Sequence, residues 1–174
     1  MRLFVAIDLP AELKDALASV ITSLKAQGAR ANFTRRENMH LTLAFIGETP
    51  RASEAIAALE GVKALPFRVG PEGSGCFGDL LWVGVRRDPD LQRLAEKVRD
   101  ALRGAGIRID PKPFKPHITL ARRLDCAGKP EVEVPRVTAP VGEFVLMRSD
   151  RVDGRLVYTP VRRFPLAGAD LTKN

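Results

Sequence analysis

The two histidines of this chain lie in nearly identical five-residue strings, HLTLA at residues 40–44 and HITLA at residues 117–121. Because side chains alternate between the faces of a β-strand, each string places its histidine and threonine on one face and its larger apolar residues on the other. The repeat therefore predicts two similar strands, one in each half of the chain. Each strand buries one face and presents an imidazole and a hydroxyl on the other.

Strand and helix patterns alternate along the rest of the chain. Alternating or continuous apolar residues predict strands at 2–7, 39–46, 67–69, 80–85, 117–121, 143–148 and 155–158. Apolar residues at helical spacing predict three helices, which begin at Pro10, near Ser53 and at Asp88-Pro89, with Gly28 and Gly61 ending the first two. The proline-rich segment 110–116 cannot continue a helix, and Asp153-Gly154 predicts a tight hairpin turn. This order indicates an α+β chain of two related lobes, with mixed or antiparallel sheets facing a shared cleft.

The length and composition fit one domain over residues 1–174. No apolar run approaches the roughly 18 residues of a membrane span, and the N-terminus reaches Asp8 and Pro10 too soon for a signal peptide. Cys76 and Cys126 lie far apart in the sequence and are expected to be free thiols in a reducing compartment. We therefore expect a cytoplasmic protein that does not bind membranes.

The charge of the chain permits a polyanionic substrate without requiring one. The formal net charge is +7 and comes mostly from arginine, which fits either nucleic-acid binding or a solvated basic surface. A zinc site needs about four ligands, and two distant histidines without clustered cysteines do not supply them. We therefore expect neither a metal nor another cofactor.

The two histidine strands could face each other across the cleft, surrounding one small anion with two imidazoles and two hydroxyls. Because the ordinary histidine pKa is about 6.5, one ring can be neutral while the other is protonated, as general acid–base catalysis requires. Threonine hydroxyls can donate to the non-bridging oxygens of a phosphate. Either motif alone fits an ordinary strand with an uninvolved histidine. The shared pattern is what favours a catalytic pair.

Longer strings around the motifs resemble the two-histidine phosphoesterases, and among them the RNA 2′,3′-cyclic phosphodiesterase family, also called 2′-5′ RNA ligase. These strings are ENMHLTLAFIG at 37–47 and FKPHITLAR at 114–122, with RLFVAIDLP at 2–10, LWVG at 81–84 and YTP at 158–160 also similar. The resemblance implies a bilobal α+β fold of two pseudo-twofold-related lobes, with sheets lining a central cleft and helices outside. It also implies metal-independent hydrolysis of a 2′,3′-cyclic phosphate end of RNA to a 2′-phosphate end.

The same resemblance implies the residues of the site. His40, Thr42, His117 and Thr119 are the expected catalytic residues, and Arg122 is expected to bind the substrate phosphate. We assign His40 as the proton donor and His117 as the proton acceptor, although the near symmetry of the motifs leaves the reverse assignment open. Phe4 could stack on a base, with core packing as the alternative.

Other functions fit the same residues. The expected partner is RNA with a 2′,3′-cyclic phosphate end, and the expected oligomeric state is a monomer. One alternative is 2′-5′ RNA ligase activity on tRNA halves, in which a ribose hydroxyl takes the place of water. Another is a non-catalytic RNA-binding module of the same fold. A third keeps the chemistry on a cyclic nucleotide or an ADP-ribose cyclic phosphate.

Overall fold

A computed structural model of the chain describes residues 1–128 and 130–167. Its α-helices in these residues are α1 (Ala11–Ala26), α2 (Ala52–Glu60) and α3 (Pro89–Gly104), and a short 3-10 helix covers Arg36–Asn38. The strands in this part of the chain are β1 (Arg2–Asp8), β2 (Arg30–Phe33), β3 (His40–Glu48), β4 (Phe67–Val69), β5 (Pro71–Phe77), β6 (Leu80–Val85), β7 (His117–Asp125), β8 (Ala139–Val141), β9 (Glu143–Val152) and β10 (Arg155–Pro165).

The strands form two four-stranded sheets, with the orders β10-β9-β1-β3 and β2-β7-β6-β5, and a separate pair of β4 with β8. All of the strand pairs are antiparallel. The predicted α+β fold is thus confirmed, and of the two sheet types left open it has the antiparallel one. Each four-stranded sheet contains one of the two histidine strands.

The histidine strand β3 carries a bulge immediately after its threonine. Val5 of β1 pairs with Ala44. The next residue of β1, Ala6, pairs with Thr42, so Leu43 is an extra residue between the two pairs. A bulge of one residue shifts the alternation of the side chains beyond it.

The second histidine strand, β7, repeats this bulge at the equivalent position. Leu81 of β6 pairs with Ala121, whereas the adjacent Trp82 pairs with Thr119, which leaves Leu120 as the extra residue. The duplication thus extends from the sequence motif to an irregularity of the backbone. In each strand, the residue two places beyond the bulge returns to the face of the histidine and the threonine.

The predicted helices bury the faces that their apolar spacing indicated, in one core that also includes the inner faces of both sheets. In α1 the buried positions include Leu13, Leu17 and Leu24. In α3 the Asp88 carboxylate accepts hydrogen bonds from the backbone amides of Asp90 and Leu91, which satisfies two amides of the first helical turn.

The two-residue turn between β9 and β10 is the hairpin that the sequence predicts. Asp153 and Gly154 have φ values of 50° and 77°, the left-handed backbone that a type I′ turn requires at both central positions. The following strand, β10, extends to Pro165 and includes Pro160. It tolerates these prolines because it lies at the edge of its sheet.

Three of the described strands were not predicted from the sequence: β2, β8 (which pairs with β4) and β5. The last contains Gly73, Ser74 and Gly75 and has no apolar alternation. It forms through pairing with β6 rather than through the preferences of its own residues.

No helix in the described ranges has the length and apolarity needed to span a bilayer. Both cysteines are free: Cys76 is exposed and Cys126 is half-buried.

Candidate active site

The two histidine strands border one cleft of about 1310 Å³. All of the residues singled out from the sequence line this cleft: Phe4, His40, Thr42, His117, Thr119 and Arg122. The fold thus brings together side chains from both halves of the chain, as the duplicated motif predicts.

His40 is held by hydrogen bonds at both ring nitrogens. Its Nδ1 lies 2.7 Å from the carbonyl oxygen of Asn38, and its Nε2 lies 3.0 Å from Thr42 Oγ1. Because a carbonyl only accepts, Nδ1 carries a proton and donates it, and in the neutral ring the Thr42 hydroxyl donates to Nε2. Asn38 is buried, and its side-chain amide donates to the carbonyl of Leu156 at 3.0 Å. The backbone that orients the imidazole is therefore itself anchored.

His117 is oriented in the same way, by a carbonyl two residues earlier in the chain. Its Nδ1 donates to the carbonyl oxygen of Lys115 at 2.6 Å, which leaves Nε2 as the nitrogen available to a substrate. In the part of the chain that the structure describes, Thr119 Oγ1 makes no hydrogen bond to this ring. The second threonine hydroxyl is therefore free to donate to a ligand.

The segment 110–116, which leads into His117, is fixed at several points. The Arg99 side chain donates to the carbonyl oxygens of Asp110 at 3.2 Å and Lys112 at 2.7 Å. The Asp110 amide donates to the carbonyl oxygen of Phe45 on β3 at 2.8 Å. The segment thus links the two histidine strands directly, and its prolines limit its backbone freedom.

A pair of aromatic rings flanks each histidine. The centroids of Phe4 and Tyr158 lie 4.9 Å and 5.1 Å from that of His40. Phe77 and Trp82 take the corresponding places beside His117, at 5.6 Å and 6.3 Å. Of these four rings, only Phe4 was considered for a functional role from the sequence.

Burial and neighbouring charges set the pKa of His40. Desolvation lowers the pKa of His40 below its ordinary value of 6.5, and the carbonyl of Asn38 and the charge of Asp8 only partly oppose this. The charges of Arg122 and His117 lower the pKa of His40 further. Burial also raises the pKa of Tyr158, so its hydroxyl stays protonated at neutral pH.

Arg122 reaches the cleft because of the bulge in β7. Strict alternation from His117 would point residue 122 away from the cleft, but the extra Leu120 returns it to the cleft-lining face. The equivalent bulge in β3 brings Phe45 to the cleft. The sixth position of the motif is therefore a cation in one half of the site and an aromatic ring in the other.

Phe4 lines the cleft but offers little of its ring to a ligand. It is 3% exposed and packs with Ala6, Val145 and Met147. This burial favours the packing role over stacking on a base.

Residues 1–128 and 130–167 contain no group of three or more His, Cys, Asp or Glu side chains that could hold a metal ion.

Two anchored imidazoles, two threonines and an arginine thus line one cleft, as the resemblance to the two-histidine phosphoesterases implies. Residues 13–153 match the family model of the 2′-5′ RNA ligase superfamily. The chain belongs to this superfamily, which confirms the family predicted from the sequence.

Individual relatives agree with this membership. An Escherichia coli K12 protein named RNA 2′,3′-cyclic phosphodiesterase is 34% identical over 173 residues, which cover 95% of this chain and 96% of the relative. A Geobacillus stearothermophilus protein of the same name is 31% identical over 95% of this chain, but the match spans only 57% of that longer protein. The crystal structure of TT0787 from Thermus thermophilus superposes with a TM-score of 0.83 at 31% identity, covering 95% of this chain and 98% of that one.

Proposed function

We propose that this protein hydrolyses the 2′,3′-cyclic phosphate end of RNA to a 2′-phosphate end. The observation that carries the proposal is the pair of imidazoles in one cleft, each with its Nδ1 bound to a carbonyl two residues earlier. This arrangement leaves Nε2 of each ring for proton transfer, with that of His40 hydrogen-bonded only to the Thr42 hydroxyl in the described residues. The names of the E. coli and G. stearothermophilus relatives support the same activity.

In the proposed reaction, water attacks phosphorus in line with the departing ribose O3′. The Nε2 of His117 accepts the proton of the water as the new P–O bond forms. The protonated Nε2 of His40 gives its proton to O3′ as the P–O3′ bond breaks. One proton is taken up and one is released, so the pair ends the cycle with its protonation reversed and exchanges protons with solvent to start again.

Thr119 and Arg122 stabilise the phosphoryl oxygens in this proposal. The Thr119 hydroxyl donates one hydrogen bond, and the guanidinium of Arg122 supplies a permanent charge with fixed donor geometry. Thr42 donates to the same group once the ring of His40 is protonated, because Nε2 then no longer accepts from its hydroxyl.

The lowered pKa of His40 sets a condition on these roles. Burial favours the neutral ring of His40, whereas a proton donor has to be charged. The assignment of His40 as donor therefore requires the negative phosphate to raise its pKa on binding. If the phosphate does not raise it, His40 is the acceptor and His117 the donor.

The test uses a short RNA with a 2′,3′-cyclic phosphate end, incubated with the purified protein in excess EDTA. We expect full conversion to the 2′-phosphate end. Loss of turnover in EDTA would overturn the metal-independent mechanism. Binding without turnover at near-stoichiometric protein would instead indicate an RNA-binding module.

A second reaction with an added acceptor strand bearing a free 5′-hydroxyl distinguishes hydrolysis from ligation. Because water is far more abundant than the acceptor, we expect the hydrolysed end to dominate. A joined 2′-5′ product as the main species would favour the ligase. The proposal also includes a cytoplasmic location and a monomeric protein that needs no cofactor, as expected from the sequence.

A further inference from the structure

The cleft carries more positive charge than a single cyclic phosphate requires. Besides Arg99, its lining includes Arg2, Lys112, Lys115, Arg122 and Arg151, whereas a cyclic phosphodiester carries one negative charge. Within the described ranges, none of these five cations forms an ion pair with a carboxylate.

The three carboxylates of the cleft interact with groups other than the charged ends of these five side chains. Glu48 lies 3.4 Å from the N-terminal amine, and Asp150 lies 2.7 Å from Arg148. The Asp110 carboxylate accepts a hydrogen bond from the Lys112 backbone amide at 3.0 Å. The cations of the cleft are therefore available to a bound polyanion.

Two of these cations are better placed than the others to bind further phosphates. Lys112 and Lys115 lie on the segment 110–116, which ends at His117 and so adjoins the reacting phosphate. By contrast, Arg2 covers the ring of Phe45 at 4.8 Å, and Arg151 makes a long hydrogen bond to the carbonyl of Gly154 at 3.4 Å.

Phe77 adds an aromatic surface next to the same segment. It is 48% exposed, lines the cleft and meets the ring of His117 edge-on. Trp82 supports it at 5.2 Å, and the Trp82 indole lies so close to Gly75 that a Cβ there would clash with it. Phe77 therefore has an exposed ring that packs against the ring of Trp82.

We propose that the cleft binds several nucleotides of single-stranded RNA on the 5′ side of the reacting end. Lys112 and Lys115 bind backbone phosphates, and Phe77 stacks on a base. Cationic grooves with exposed aromatic rings are the usual means of binding single strands. The cleft volume of about 1310 Å³ also exceeds the roughly 300–1,000 Å³ of sites for small ligands. This inference rests on the proposed function and narrows its substrate to oligonucleotides.

The test compares kcat/KM for a hexanucleotide with a 2′,3′-cyclic phosphate end and for a nucleoside 2′,3′-cyclic monophosphate, over a series of salt concentrations. We expect the hexanucleotide to be preferred, with a steeper fall of log kcat/KM against log salt. In the double variant K112Q/K115Q, the slope for the hexanucleotide should decrease by about 1.4, since each single-strand phosphate contact contributes about 0.7.

Phe77→Ala should lower the preference for the hexanucleotide about tenfold, whereas Phe77→Tyr should keep it. The matched control is K63Q/R87Q, which removes the same number of charges from residues outside the cleft. This control should keep both the preference and the salt slope, because the inference depends on local contacts rather than on net charge.

Equal kcat/KM values and equal salt slopes for the two substrates would overturn this inference while leaving the proposed function intact. An unchanged slope in K112Q/K115Q would also overturn it, as would an unchanged preference in Phe77→Ala. If the wild-type protein hydrolyses neither substrate, the proposed function itself fails.

Discussion

The two histidine strands have the same motif, the same bulge and the same anchoring of Nδ1, yet their surroundings differ. His40 accepts a hydrogen bond from its neighbouring threonine and has a pKa lowered by burial. In the other half, within the described residues, Thr119 makes no hydrogen bond to the ring of His117, and the sixth residue of the motif is Arg122 rather than Phe45.

This difference shows how a duplicated motif can acquire unequal roles. The repeated backbone places two equivalent imidazoles around one ligand. The side chains that surround each ring then decide its protonation and its contacts. Transfer of a proton in opposite directions on the two sides of phosphorus requires the two imidazoles to be in different protonation states.

The largest expected effect tests whether both halves are needed. His40→Ala and His117→Ala should each lower kcat on cyclic-phosphate RNA by about 10²- to 10⁴-fold, because each variant removes one proton-transfer group. Circular dichroism and thermal unfolding should show a retained fold. The double variant should lose little more than either single one, since the two groups act in the same step. A near-normal rate in either single variant would contradict the paired mechanism.

Replacing the two threonines compares a hydroxyl that is hydrogen-bonded to its histidine, that of Thr42, with that of Thr119, for which the described residues show no such bond. Thr42→Ala and Thr119→Ala should each lower kcat by roughly tenfold to a thousandfold, as for lost oxyanion donors. Thr42→Ala should also change the pKa of His40, because in the described residues Thr42 is the threonine that hydrogen-bonds to its own histidine. The serine variants retain a hydroxyl and serve as controls. Serine variants as impaired as the alanine variants would show that the hydroxyls do not act as donors.

A smaller effect is expected at the sixth position of the second motif. Arg122→Gln should raise KM by about tenfold or more, since hydrogen bonds to charged groups contribute about 1.5–3 kcal/mol. It should also raise the pKa of His40, which the charge of Arg122 lowers. Arg123→Gln is the matched control, because this neighbouring arginine is exposed and does not line the cleft. Equal KM values for the two variants would show that Arg122 does not bind the substrate.

The smallest effect concerns the pH dependence of His40, which NMR can follow because the chain has only two histidines. Its pKa in the free protein should lie below 6.5. The unfolded chain then binds the proton more readily, so the free energy of unfolding should fall as pH drops below about 6.5. His40→Asn should lack this contribution. Added inorganic phosphate should raise the pKa of His40, and failure to do so would reverse the assigned acid and base.

Much of the fold was predictable because local patterns agree with the tertiary structure. The helices α1 and α3 have apolar residues at helical spacing, and Asp88 caps α3 as its position before Pro89 indicates. The strand β5 could not be found in this way, since glycine and serine do not favour a strand. Pairing with β6 forms it, and that pairing depends on residues distant from the strand itself.

The sequence by itself determined the duplicated His–Thr unit and the family, because these depend on residue identity and on the alternation of side chains along a strand. Only the tertiary structure decided the asymmetry between the two halves. The extra Leu120 brings Arg122 to the cleft, and the packing of Phe4 and Tyr158 desolvates His40. Burial and bulges arise from contacts between distant segments. Two nearly identical pentapeptides can therefore hold histidines in different surroundings, one of which lowers the pKa of His40.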